Sequence, residues 1–151
     1  MTNRYLAIAA SILLLASTPT QAGEWHGVLH GLSKHSTDVS RHGKPWNERN
    51  LGLGIRYEQS ANWSYQAGAY HNSEWHTSVY GLVGWTPVEI AALRLGVSAG
   101  VVTGYETAPI VPAATLVARL QAKRVSIVVR YLPPISPKLT SVAAVELAWR
   151  F

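Results

Sequence analysis

Between Asn50 and Glu58 apolar and polar residues alternate without a break. Leu51, Leu53, Ile55 and Tyr57 share one face, and Asn50, Gly52, Gly54, Arg56 and Glu58 share the other. A period of two marks a strand lying between two different environments. After the turn Ser60-Ala61-Asn62 the pattern resumes. Trp63, Tyr65, Ala67 and Ala69 alternate with Ser64, Gln66, Gly68 and Tyr70. The two strands form a hairpin with both open ends on the same side. Trp46–Arg49 is therefore expected close to Asn72 and Ser73.

Six more segments carry the same period, for eight strands in all. The first, 24–33, sets Trp25, Gly27, Leu29 and Gly31 against His26, Val28, His30 and Leu32. The fourth, 76–86, ends at Gly84-Trp85 and is expected to stop at Pro87, because proline cannot donate to a ladder. The fifth spans 93–102. The sixth, 111–121, is interrupted early by Pro112. In the seventh, Val125, Ile127, Val129 and Tyr131 face away from Arg124, Ser126, Val128 and Arg130, and Pro133, Pro134 and Pro137 break it. The last places Ala143, Val145, Leu147, Trp149 and Phe151 on one face. Large apolar groups on one face, with glycine and charge on the other, describe a barrel wall with lipid outside and a narrow polar lumen. The expected fold is all-β, a small antiparallel transmembrane β-barrel of eight strands. Segments 34–49, 73–75, 103–109 and 133–140 become the outer loops, and the turns near 60–62, 87–92 and 122–123 lie inside.

Composition adds to this picture. Arg4, the apolar run Tyr5–Ala16 and the small residue closing Thr20-Gln21-Ala22 read as a Sec-type signal peptide over 1–22, leaving 23–151 as the barrel. The apolar run is shorter than the roughly 20 residues that a spanning helix requires. There is no cysteine, so disulfides contribute nothing. Hydrophobic residues make up 48% and charged residues 14%, too lean a polar coat for an ordinary soluble domain. Six tryptophans and seven tyrosines suit the two interfaces of a membrane barrel. The net charge of +5 is compatible with phosphate-bearing head groups. Nucleic acid is not an expected partner, and a monomer is expected.

The candidate chemistry sits at the outer rim. His30 tops the first strand, and Asn72 and Ser73 top the third. A histidine beside a serine is the minimum needed to activate a hydroxyl or polarise an acyl ester. All six histidines fall between positions 26 and 76, yet no His-x-x-x-His helix or cysteine supports a metal site, and neither metal nor cofactor is expected. The inward glycines Gly52, Gly54, Gly68, Gly96 and Gly100 either leave room for a slender ligand or merely relieve crowding, and composition favours crowding.

From Trp46 to Phe151 the chain resembles the outer-membrane lipid A palmitoyltransferases. Trp46-Asn47-Glu48-Arg49 matches their aromatic-Asn-Glu-Arg motif, and Asn72-Ser73 falls on their Asp-Ser pair. Gly84-Trp85, Tyr131-Leu132-Pro133 and the closing Ala148-Trp149-Arg150-Phe151 follow in the family's order. The resemblance implies an outer-membrane barrel, inserted by the barrel-assembly machinery through its Phe151 strand. It implies transfer of a palmitoyl-type chain from phospholipid to lipid A. By the same resemblance, His30, Asn72 and Ser73 are catalytic, with His35 as the other candidate for the histidine. Glu48 and Arg49 order the outer loop or grip a phosphate, and Gly84 floors an acyl pocket. Pro109 and Pro112 match prolines that loosen a ladder for lateral lipid entry. The family's aspartate is Asn72 here, and its N-terminal helix is missing. The competing readings are a non-enzymatic surface barrel and a lipid A deacylase, whose carboxylate would have to be Glu74 or Glu106.

Overall fold

The computed structural model describes residues 23–40, 43–134 and 140–151. The proposed signal peptide, Arg41, His42 and Pro137 lie outside them. Eight strands are present: β1 Glu24–His35, β2 Arg49–Glu58, β3 Trp63–His71, β4 Thr77–Ile90, β5 Leu93–Tyr105, β6 Ala108–Ala122, β7 Val125–Leu132 and β8 Val142–Arg150. Each pairs antiparallel with its chain neighbour, and β8 closes on β1. Closure removes every free edge at the ends of the sheet, the condition for a sheet to stand in lipid.

The solvent pattern is inverted relative to a soluble domain. Leu51, Leu53, Ile55, Val79, Val97, Leu116 and Ile127 point outward and are exposed, while fourteen described polar residues are buried against six apolar ones. The outside is therefore the apolar phase, and the lumen holds the polar side chains. Trp25 packs on Tyr57, Trp63 on Trp85 and Trp149 on Phe151, all near the mouth that carries the short turns. These rings form an aromatic belt at one interface. On this outer surface Gly27 lies beneath the Trp149 ring, where no Cβ would fit.

Four expectations need correction. β1 runs to His35 and carries a bulge between His30 and Ser33. The extra residue shifts the phase, so Leu32 turns outward at 62% exposure instead of following His26 and His30 inward. β4 does not stop at Pro87 but continues to Ile90, because Pro87 falls in the register shift between Trp85 and Val88, where no ladder donor is needed. Residues 103–109 are mostly strand. β5 and β6 extend until Tyr105 pairs with Ala108, leaving a two-residue turn. Pro112 does not interrupt β6, since it pairs with Val101 inside the strand.

Candidate functional site

The lumen is filled by two polar layers. In the upper one, Arg130 donates from Nε to Glu146 (2.7 Å), from Nη1 to Ser98 Oγ (2.7 Å) and from Nη2 to Gln66 Oε1 (2.9 Å). Gln66 donates to the Tyr80 hydroxyl (3.0 Å) and to Glu146 (3.2 Å). The Tyr80 hydroxyl lies 2.7 Å from His30 Nε2, and His30 Nδ1 is 3.4 Å from Glu146. One tautomer satisfies the whole set: Tyr80 donates to Nε2, and Nδ1–H faces the carboxylate. Both nitrogens of His30 are thereby engaged inside the barrel, one level below the rim.

The inward glycines acquire a concrete role here. A Cβ on Gly54 or Gly68 would collide with the Tyr80 hydroxyl, and one on Gly52 with the backbone of Tyr70. Their missing side chains make room for these two tyrosines. The crowding reading of these positions thus fits the structure better than a ligand channel.

In the lower layer Glu58 meets both Arg56 and Arg119, and Arg56 Nη2 reaches Ser126 Oγ (3.1 Å). Glu24, His26 and Glu58 bring possible ligand atoms within 4.8 Å of one another. Glu58 is committed to its two arginines and Glu24 to Arg150. That surrounding positive charge argues against a cation. Between the two layers lies a cavity of about 20 Å³, lined among others by Gly84, Ser64, Arg56, Arg119 and Arg130. It offers room for one or two water-sized occupants. Gly84 therefore does line a lumenal space, one far smaller than an acyl chain.

The rim is built on amides. Asn72 is fully buried, and its carboxamide makes four bonds. Nδ2 donates to Ser78 Oγ (2.9 Å) and to Gly104 O (2.7 Å), while Oδ1 accepts from the backbone of Glu74 and of His76 (both 2.9 Å). It closes the β3–β4 turn, where Trp75 has φ +66°, and ties that turn to β5. Asn47 Nδ2 donates to Asn72 O (3.0 Å), and Asn47 N donates to Ser73 O (2.9 Å). The expected meeting of Trp46–Arg49 with Asn72–Ser73 is thus present in atomic detail.

Ser73 borders a second small cavity at the rim with Lys44, Glu74 and Glu106. His35 is buried at the top of β1, and its ring stacks on Trp46 at 4.5 Å. Its Nδ1 has no hydrogen-bond partner among the described residues and lies 4.0 Å from Glu48 Oε1. Glu48 accepts from Lys34 Nζ (3.3 Å) and from the His35 backbone (3.3 Å), and these bonds hold its carboxyl below the usual range. Arg49 is exposed. The dipeptide Trp46-Asn47 accordingly links His35 to Ser73, whereas the ring partners of His30 are Tyr80 and Glu146.

Sequence reasoning overlooked Tyr80, Gln66, Arg130 and Glu146. Each occupies an inward position of an alternating strand, and four polar groups at one level of eight strands is the signal that could have revealed them.

Among the described residues the ladder between β6 and β7 ends at the pair Leu116–Tyr131, although β6 continues to Ala108. Ile110, Pro112 and Ala114 form the exposed apolar face of that upper stretch. Pro109 and Pro112 sit on this edge.

No family model matches the chain, and no curated protein sequence does. Solved structures do resemble it. One comes from work on de novo design of transmembrane β-barrels. It has a TM-score of 0.63 at 14% identity and covers 89% of this chain and all of its own. A designed barrel, TMB2.3, solved by solution NMR, has a TM-score of 0.60 at 19% identity over 87% of this chain and 98% of its own. The outer-membrane protein AlkL, solved by solid-state NMR in lipid bilayers, covers 89% of this chain and 93% of its own at 16% identity, with a TM-score of 0.41. The chain has the fold of an eight-stranded transmembrane β-barrel.

Proposed function

We propose that this barrel resides in the outer membrane and transfers an acyl chain from a phospholipid to lipid A at its outer rim. The observation that carries the reading is that the β6–β7 ladder ends, among the described residues, at Leu116–Tyr131 while β6 runs on to Ala108. Unpaired backbone groups in lipid are expensive, so a ladder that opens within the bilayer would be a feature with a use. It offers a lipid sideways passage toward the rim, and Pro109 and Pro112 suit that edge because they lack an N–H to leave unpaired.

At the rim, His35 is the proposed base. Its Nδ1 is buried and makes no hydrogen bond to a described residue; once the Trp46 ring stacked on it moves aside, it can take the proton of an attacking hydroxyl, a task for which His30 has no spare lone pair. Ser73 is the assisting hydroxyl or nucleophile. Asn72 is a positioning residue through its turn, and Arg49 is a phosphate contact. Gly84 lies too deep to meet a chain unless the Tyr80 layer moves.

A non-enzymatic barrel is the second reading, favoured by the packed lumen. Expression of the chain in a Gram-negative host, followed by mass spectrometry of lipid A, separates the two. One added acyl chain that vanishes in Ser73→Ala and His35→Ala is expected. Unchanged lipid A beside a correctly inserted barrel would favour the non-enzymatic reading. A lost chain would indicate a deacylase, drawing on Glu74 or Glu106 next to Ser73.

A further inference from the structure

Four carboxylates of the lumen and its inner mouth meet arginine. Three do so one to one: Glu24 with Arg150, Glu89 with Arg94 and Glu146 with Arg130. Glu58 faces two, Arg56 and Arg119, whose side chains are 3% and 6% exposed. Arginine does not shed its charge readily, so this group carries one more positive charge than negative, away from bulk water. An uncompensated buried charge is costly, and a neutral water relieves it only in part.

Two further features belong to the same region. Arg119 Nε has no hydrogen-bond partner among the described residues. Arg56 Nε makes none either, although it lies 3.1 Å from Glu58. Both arginines, with Arg130, line the cavity beside Gly84, together with the hydroxyl residues Ser64, Thr86 and Ser98 and the apolar Leu82, Val117 and Val128. Its volume of about 20 Å³ has room for a monatomic ion.

We propose that this cavity binds one small monovalent inorganic anion of chloride size, which neutralises the second arginine on Glu58. The site is independent of the rim chemistry, since it lies within the lumen and uses no rim residue. Bound chloride would fasten β2, β6 and β7 together from inside, as a counterion built into the wall.

The test is thermal unfolding of the purified full-length barrel in nonionic detergent at constant ionic strength, with chloride replaced stepwise by gluconate, which is too large to enter. Chloride and bromide should raise the Tm saturably, by roughly 5–10 °C at a hundred times the Kd. Ser64→Asp places a carboxylate in the cavity and should make the Tm indifferent to chloride. Crystals grown with bromide should show an anomalous peak between Arg56 and Arg119. A Tm equal in chloride and gluconate, or a chloride effect undiminished in Ser64→Asp, would overturn the proposal. If Ser64→Asp does not fold, the bromide peak in the unmodified barrel decides, and its absence counts against the site.

Discussion

The lumen and the rim use the same residue types for opposite ends. Inside the barrel His30, Tyr80, Gln66, Arg130, Ser98 and Glu146 satisfy one another, with every described ring nitrogen and guanidinium arm of that layer engaged. At the rim His35 stacks on Trp46 with a buried Nδ1 that bonds to no described residue, Ser73 is half-buried with an uncommitted hydroxyl, and Arg49 is exposed. A histidine close to a carboxylate is therefore not by itself a sign of catalysis. What distinguishes the two regions is spare hydrogen-bonding capacity, because a group whose lone pairs are all used is a strut and not a reagent.

The comparison breaks most visibly at Glu146. Glu146→Gln leaves the half-buried Arg130 without its counter-charge and should cost up to roughly 3 kcal/mol, read as a lower urea midpoint for unfolding from detergent or vesicles. Asn72 comes next. Asn72→Ala abandons two donors and two acceptors around the β3–β4 turn and should cost about 2–3 kcal/mol in the same measurement. Asn72→Asp is expected to destabilise as well, because a carboxylate cannot donate to Gly104 O and would face that carbonyl with like polarity. A stable and more active Asn72→Asp would mean that the turn can rearrange around a charge.

Tyr80→Phe removes the hydroxyl shared by Gln66 and His30 and should cost about 1–2 kcal/mol. Ser73→Ala should change stability by less than about 0.5 kcal/mol, since its hydroxyl supports no described contact. The smallest effect concerns Glu48. Its carboxyl is held below its ordinary range by Lys34 and the His35 backbone, so its contribution is complete above the unfolded value and is lost as pH falls through the lower, folded one. The protection factor of the His35 amide, its exchange rate corrected for the intrinsic pH dependence, should fall on acidification in the unmodified protein and lose that dependence in Glu48→Gln.

The barrel was readable because lipid outside and polarity inside impose a period of two, which survives in each strand of the chain. Departures came where one residue breaks the period. The bulge that turns Leu32 outward, and the one that lets β4 pass Pro87, are set by partners across the sheet and leave no mark in the local pattern. The hairpin rim was legible through Asn47, Asn72 and Ser73, which meet as the strand phase requires. The histidine was not settled in advance. His30 and His35 both face inward, and only the bulge between them leaves one in the packed layer and the other beneath Trp46. Of the two arginines on Glu58, Arg56 shares its strand and face, but Arg119 lies 61 residues away in the chain, beyond the reach of spacing arguments.

The most direct test of the division between strut and reagent is an in vitro acyl-transfer assay. The purified barrel would be mixed with phospholipid and lipid A in detergent, and products followed by mass spectrometry, for the unmodified protein and for Ser73→Ala, His35→Ala and Tyr80→Phe. The account predicts transfer by the unmodified barrel, loss in both rim variants and retention of most activity in folded Tyr80→Phe. No transfer by the unmodified barrel, or loss in Tyr80→Phe with the rim variants intact, would contradict it.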